Sequence, residues 1–317
     1  LTEARELYQK LLAGDRRAAA KLISMVEDGE EGAREALEAL HKHSGRAHIV
    51  GLTGSPGSGK STLACRLAQE YRTRDKSVGI ICVDPTSPFT GGALLGDRVR
   101  MQELSGDPEV FIRSMGSRGA LGGLAVAIND VINILDAFGK DYIIVETVGA
   151  GQVEIEVVKY AHTCIVVTMP GAGDEIQAIK AGILEIGDVF VVNKADRDGA
   201  MHTLADLEMM VETKPGGLQA WKPPVVATVA LEGEGVDLLV GEIARHYDFL
   251  KESGTLTKKI VGRMKAEVLA ILSLKVSEAA SRALEDGGVA AELVDRMVER
   301  DLDPHGAAAE LAKELEL

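Results

Sequence analysis

The stretch Gly54-Ser-Pro-Gly-Ser-Gly-Lys-Ser61 constrains this chain more than any other. Its glycines let several backbone N–H groups converge on one point, and a lysine and a hydroxyl close the turn. Such a loop works where a strand delivers the chain and a helix carries it away, because the helix N-terminus adds free N–H groups and its dipole. Both flanks are present: an apolar run at 48–52 precedes the loop, and 61–71 has helical spacing. The GxxxxGK[ST] pattern in that context predicts a phosphate-binding turn. Gly54, Ser55, Pro56, Gly57, Ser58 and Gly59 wrap the phosphates, Lys60 reaches the β and γ oxygens, Ser61 offers its hydroxyl to Mg²⁺, and Thr62 completes the nucleotide-binding set.

The same alternation continues along the chain. Apolar runs at 48–52, 78–83, 110–113, 142–146, 164–168, 189–192 and 225–229 are rich in Val and Ile and nearly continuous. Strands covered on both faces read this way. The helical segments between them predict an α/β fold with a mainly parallel, doubly wound sheet. Residues 1–43 read as helices. Ala4, Leu7, Leu11 and Leu12 form a first stripe, Asp15 caps a second helix running to Val26, and Gly32 opens a third. After about residue 249 the strands stop. Ser253-Gly254 breaks the chain, 256–283 reads as one long helix ended by Gly287-Gly288, and 289–300 and 305–315 follow, with Asp303-Pro304 as the last start signal. The expected division is an N-terminal helical extension (1–44), a nucleotide-binding domain (45–250) and a C-terminal helical arm (251–317). An exposed apolar stripe along a long helix favours association.

Composition narrows the partners. With 35 basic against 49 acidic residues the net charge is -14, a poor match for nucleic acid and a better one for protein partners. No apolar run is long enough to span a membrane and no signal peptide is evident. Cys65, Cys82 and Cys164 are far apart and read as small core residues in a reducing compartment, which implies a cytoplasmic location.

Carboxylates at strand ends are the candidate Mg²⁺ partners, since hard cations take oxygen ligands and bind at the carboxyl ends of parallel strands. Asp84 ends the second run and Glu146 the fourth. Asp97 lies in a loop, where an Asp is more often a turn or cap residue. A strand-end cap is the plainer role for Asp84 and Glu146. Further on, Asn193-Lys194-Ala195-Asp196 is an NKxD sequence after a strand. The Asp196 carboxylate accepts from both N1–H and the exocyclic amine of guanine, a donor pair adenine lacks. The Lys194 stem covers the base and Asn193 ties loops together. Val229, Ala230 and Leu231 fall where the backbone meets the guanine oxygen. GTP and GDP are therefore the expected nucleotides.

These residues, together with longer stretches, resemble the MeaB/ArgK family of P-loop GTPases. The most specific stretches are VDPTSPFTGGALLGDRVRM (83–101), FIRSMGSRGALGG (111–123), IIVETVGAGQVEIEV (143–157) and PGAGDEIQAIKAGILEIGD (170–188), and the likeness covers nearly the whole chain. The resemblance implies a homodimeric GTPase chaperone of an adenosylcobalamin-dependent acyl-CoA mutase, chiefly methylmalonyl-CoA mutase. It gates cofactor loading and protects the enzyme. The resemblance also implies a Mg²⁺ set of Ser61, Asp84, Asp97 and Glu146, a first switch near 84–97, a second at 146–152 and a third at 170–180. Gly149 is expected to sense the γ-phosphate. Many nucleotide hydrolases carry a Gln directly after that glycine, but here Ala150 follows. Gln152 orients a water only if its loop rearranges, which implies slow turnover without a partner.

Other readings stand beside this one. A metabolite kinase linked to basic amino-acid transport would need an acceptor pocket, for which the sequence has no signature. A nickel-type metallochaperone GTPase would carry His runs or Cys motifs near the phosphate loop, and there are none. Arg98, Arg100, Arg113 and Arg118 suit surface ion pairs better than phosphate contacts. His162 and His246 suit solvated or core imidazoles better than bases. Met209, Met210 and Val211 read as packing. Asp174, Glu175 and Lys180 read as a solvated helix start unless the resemblance assigns them to the third switch.

Overall fold

In the computed structural model, the described residues are 3–84, 102–104, 106–116, 121–147, 160–171, 184–212, 221–285 and 289–315. Three helices lead: α1 (Glu3–Leu12), α2 (Arg16–Glu27) and α3 (Glu31–Leu40). Asp15 caps α2, accepting from the Arg17 amide at 2.7 Å and the Ala18 amide at 3.2 Å, which satisfies donors the first turn leaves free. In α1, Ala4, Leu7 and Leu11 are buried as expected, but Leu12 lies toward solvent, one residue past the stripe.

Seven strands follow, all parallel, in the spatial order β3-β2-β4-β1-β5-β6-β7. They are β1 (His48–Gly54), β2 (Val78–Asp84), β3 (Val110–Gly116), β4 (Tyr142–Thr147), β5 (Thr163–Thr168), β6 (Val189–Asn193) and β7 (Val225–Thr228). Each matches an apolar run of the sequence; six are longer than the run by one to three residues, and β7 is shorter by one. The chain steps from β1 outward to β2 and β3, returns beside β1 as β4, then crosses to β5, β6 and β7. β1 is thus central, and the carboxyl ends of β4 and β5 flank the loop that leaves it.

On one face of the sheet lie α4 (Lys60–Thr73) and α7 (Val236–Glu252). Leu63, Leu67 and Tyr71 of α4 pack with Leu239 and Ile243 of α7 over Val50, Leu52, Ile80 and Ile165. On the other, α5 (Leu121–Ala137) lies on Ile49, Ile81, Val83 and Ile143 and shares one apolar cluster with α1, α2 and α3. The N-terminal helices therefore seat on the sheet domain through α5. Arg113 at β3 donates to Ser24 Oγ at 3.0 Å and pairs with Glu27 of α2, so its role is the ion pair. Near the far edge, α6 (Ala200–Glu212) buries Leu207 and Val211. Met210 packs partly there, whereas Met209 is 69% exposed, so packing explains only two of that trio.

At the amino end of the sheet, polar groups form a buried chain. His48 Nε2 meets Thr163 Oγ1 at 2.8 Å, and Thr163 Oγ1 meets His246 Nδ1 at 2.9 Å. His246 Nε2 lies 3.3 Å from Asp188 Oδ1. Burial holds the His162 ring down to about 3 and the His246 ring to about 4. At neutral pH both are uncharged core imidazoles, and the Asp188 contact is a hydrogen bond. Lys259 joins this chain, donating to the His162 carbonyl at 2.9 Å and to Asp188 Oδ2 at 3.1 Å. It anchors the start of α8 (Thr255–Glu285).

Helix α8 packs on α5 and α7 and is followed by α9 (Val289–Val298) and α10 (Pro304–Glu314). Asp303 caps α10 through the His305 and Gly306 amides, with Pro304 in the first turn. Val261, Val268, Leu272 and Val276 are spaced to share one side of α8 and are all exposed. Among the described residues no helix is long and apolar enough to cross a membrane.

The seam between α5 and α8 carries a pH signature. Asp130 on α5 is raised to about 7, first by burial and then by the nearby Glu267 of α8. Glu267 is raised too, by burial, with Arg263 and His41 opposing. An Asp raised from about 3.9 holds its proton in the fold, so its contribution is full below pH 4 and is lost as pH rises through 7. Asp130→Asn removes that penalty. Its expected gain is on the order of 4 kcal/mol at pH 8, shrinking toward zero near pH 4. Chemical unfolding at the two pH values checks this, and an equal gain at both would refute it.

Candidate nucleotide site

The phosphate loop leaves β1 at Gly54 and enters α4 at Lys60. Gly54 has φ 130°, and a Cβ there would overlap the Val167 carbonyl of β5. Gly59 has φ 93°, and a Cβ there would overlap the Asn193 amide. Both positions need glycine for backbone freedom and for close approach. Lys60 is buried, and its ammonium donates to the Gly54 carbonyl and to the Ser55 carbonyl at 2.9 Å. This lays the side chain back across its own loop.

Beside the loop, the pairing of β1 with β4 sets Leu52 opposite Glu146. The carboxylate thereby reaches the first turn of α4, and Ser61 Oγ donates to Glu146 Oε1 at 2.6 Å. Ser61 is 8% exposed and Glu146 1%. Cys82 Sγ lies 3.9 Å from Glu146 Oε2. Two of the four residues read as a Mg²⁺ set are thus in contact. These hard oxygens, one hydroxyl and one carboxylate, suit a small divalent cation that keeps much of its water. Asp84 ends β2 as expected. Asp97, Gly149 and Gln152 lie outside the described residues, as do Arg98, Arg100, Arg118, Asp174, Glu175 and Lys180.

The NKxD residues come to the same end of the sheet. Asn193 is buried at the end of β6. Its amide nitrogen donates to the Ser58 carbonyl at 2.7 Å, and its oxygen accepts from Thr228 Oγ1 at 3.1 Å and the Ala230 amide at 3.0 Å. One side chain therefore binds the phosphate loop to the 229–231 turn. Lys194, at φ 58°, donates to the Gly57 carbonyl at 2.6 Å. Asp196 is exposed at the rim. Val229 makes a bridge with Glu234, closing a short turn whose Leu231 is exposed.

Two participants carry no motif signal. Thr228 is legible in the sequence only as the next-to-last residue of an apolar run. Arg66, on α4, donates through Nε to the Ala230 carbonyl at 3.0 Å and through Nη2 to the Leu231 carbonyl at 2.6 Å.

Comparison with known proteins decides the family. A family profile described as methylmalonyl Co-A mutase-associated GTPase MeaB matches residues 19–285. The chain belongs to the MeaB family of GTPases. A Pyrococcus abyssi protein whose name gives only the GTPase class is 48% identical over 312 residues, covering 98% of this chain and 96% of that one. The methylmalonic aciduria type A homolog of Caenorhabditis elegans, named as mitochondrial, is 34% identical over 278 residues, 82% of this chain and 70% of that one. A crystal structure of a LAO/AO transport system kinase aligns over 100% of this chain and 99% of that one, with a TM-score of 0.72. At 24% identity it establishes a shared fold, and its kinase activity does not transfer. Membership in a family of GTPases implies that this chain binds a guanine nucleotide.

Proposed function

We propose that this MeaB-family protein is a Mg²⁺-dependent GTPase that serves as a chaperone for an adenosylcobalamin-dependent acyl-CoA mutase. In this role it gates cofactor loading and protects the enzyme. The observation that carries the nucleotide chemistry is the Ser61–Glu146 contact at the mouth of the phosphate loop. The family description and the name of the Caenorhabditis relative support the mutase as partner. Methylmalonyl-CoA mutase is the first enzyme to test. Three buried free thiols suit a reducing cytoplasm.

Phosphoryl transfer is mainly positioning and charge neutralisation. Lys60 exchanges the Gly54 and Ser55 carbonyls for β- and γ-phosphate oxygens. Ser61 and Glu146, joined by Asp84 and Asp97, would hold Mg²⁺, which would supply positive charge to the phosphate oxygens. Asp196 accepts from the guanine edge while the Lys194 stem lies along the base. Gly149 senses the γ-phosphate. Gln152 aligns the attacking water once the mutase reshapes its loop, so turnover is slow without the partner. The exposed stripe of α8 is the surface on which two copies join through the C-terminal arm.

The test measures the GTP hydrolysis rate with and without purified mutase. At least a ten-fold stimulation by one such enzyme is expected. No change with any adenosylcobalamin-dependent acyl-CoA mutase overturns the chaperone assignment and leaves the GTPase standing.

A further inference from the structure

Arg66 sits on the second turn of α4, beyond Lys60 and Ser61. Its guanidinium spans the carbonyls of two consecutive residues, Ala230 at 3.0 Å and Leu231 at 2.6 Å. Its remaining nitrogen, Nη1, donates to Gln69 Oε1 at 2.8 Å, one helical turn further on. Gln69 in turn donates to Glu103 at 3.3 Å. All three faces of the planar group are therefore engaged, and its plane is fixed. A rigid fork of this kind suits two adjacent acceptors in a way that an ammonium does not.

The fork adds a side-chain clamp to a turn whose backbone is closed by the Val229 amide on the Glu234 carbonyl at 3.1 Å and by the Glu232 and Gly233 amides on the Val229 carbonyl at 3.0 and 2.9 Å. Within the 229–231 turn, Ala230 is held by the Asn193 side chain through its amide, whereas Leu231 is exposed. Pulling both carbonyls toward α4 rotates the intervening peptide units. The N–H that shares a peptide unit with the Ala230 carbonyl is that of Leu231, and it points opposite to that carbonyl, away from Arg66, because the N–H and C=O of a planar peptide unit point in opposite directions. The Glu232 N–H of the next unit is held by the Val229 carbonyl at 3.0 Å. We infer that Arg66 is a positioning residue for guanine recognition, setting the backbone amide of Leu231 against the guanine O6 from the helix that carries the phosphate loop.

This inference rests on reading 193–196 as the guanine-binding sequence. It makes a prediction specific to one atom of the base. 6-Thioguanosine triphosphate keeps the N1–H and the exocyclic amine that Asp196 reads, but offers sulfur, a poorer acceptor, in place of O6. Arg66→Met keeps an unbranched side chain of similar reach and removes the fork. Its KM for GTP should rise roughly ten-fold, the loss of about one net hydrogen bond, with kcat within two-fold of the parent. Its KM for 6-thio-GTP should rise less than three-fold. Arg66→Lys, with one point donor, should recover part of the GTP affinity. Equal losses for both nucleotides, or a fall in kcat with KM unchanged, overturn the inference. Asp196→Asn run in parallel separates the two ideas: if it leaves GTP preference intact, the base-reading assignment has failed. If it abolishes that preference while Arg66→Met treats both nucleotides alike, the Arg66 role alone has failed.

Discussion

Lys60→Ala brings GTP hydrolysis to the background rate, a loss of roughly a thousand-fold or more. That magnitude is what one preorganised cationic donor contributes where charge gathers on a transferring phosphoryl group. Folding should survive the change. The ammonium donates to two carbonyls of its own loop, Gly54 and Ser55, and neither belongs to the apolar core. Thermal unfolding within a few degrees of the parent is the control. Binding of GDP should weaken less than hydrolysis, because Asn193, Lys194 and Asp196 still address the base. A steady-state phosphate-release assay reads the outcome. Undiminished turnover in a correctly folded Lys60→Ala protein removes this loop from the chemistry.

Asp196→Asn changes which base is chosen. The carboxylate is exposed just beyond β6, and in the proposed reading it accepts two hydrogen bonds from the guanine edge. An amide keeps one acceptor and turns the other position into a donor. Guanine then faces a donor with a donor, while xanthine, which has a carbonyl at that position, is matched. Two charge-assisted bonds are at stake, so GTP affinity should fall by roughly a hundred-fold or more and XTP should become the preferred substrate. Competition between the two nucleotides in the hydrolysis assay measures the ratio. Persistent preference for GTP would falsify the base-reading role.

Much of this site was legible before any coordinates, and the reason is physical. Parallel strands buried on both faces leave near-continuous apolar runs, so all seven strands stood out. The phosphate loop and NKxD are local motifs whose residues lie within a few positions of one another. The Glu146 contact was legible as a strand-end carboxylate, although only the β1–β4 register shows that it reaches Ser61. Arg66 was not legible. Its partners lie 164 and 165 residues away, and a basic residue on a half-exposed helix face has the same sequence signature as any solvated lysine or arginine. The exposure of Leu12 and Met209 escaped for a related reason: periodicity gives the direction of a stripe, but neighbouring elements set its width. Helix α3 likewise begins at Glu31, one residue before Gly32, because helix ends are fixed by local backbone contacts that composition records poorly.

Asn193 has a consequence for how tightly a nucleotide can be held. Its side chain joins the phosphate loop to the 229–231 turn, and Lys194 adds a second strap to Gly57. Both straps are made of protein atoms alone. The relative placement of the phosphate and base ends of the cleft is thus encoded in the polypeptide. A ligand that spans the two ends does not have to expend its contacts on ordering them. Binding free energy that a floppy cleft would lose to conformational entropy is retained as affinity. The two ends then act as one bivalent receptor of fixed span, in which capture of the triphosphate raises the effective concentration of the base at its own subsite.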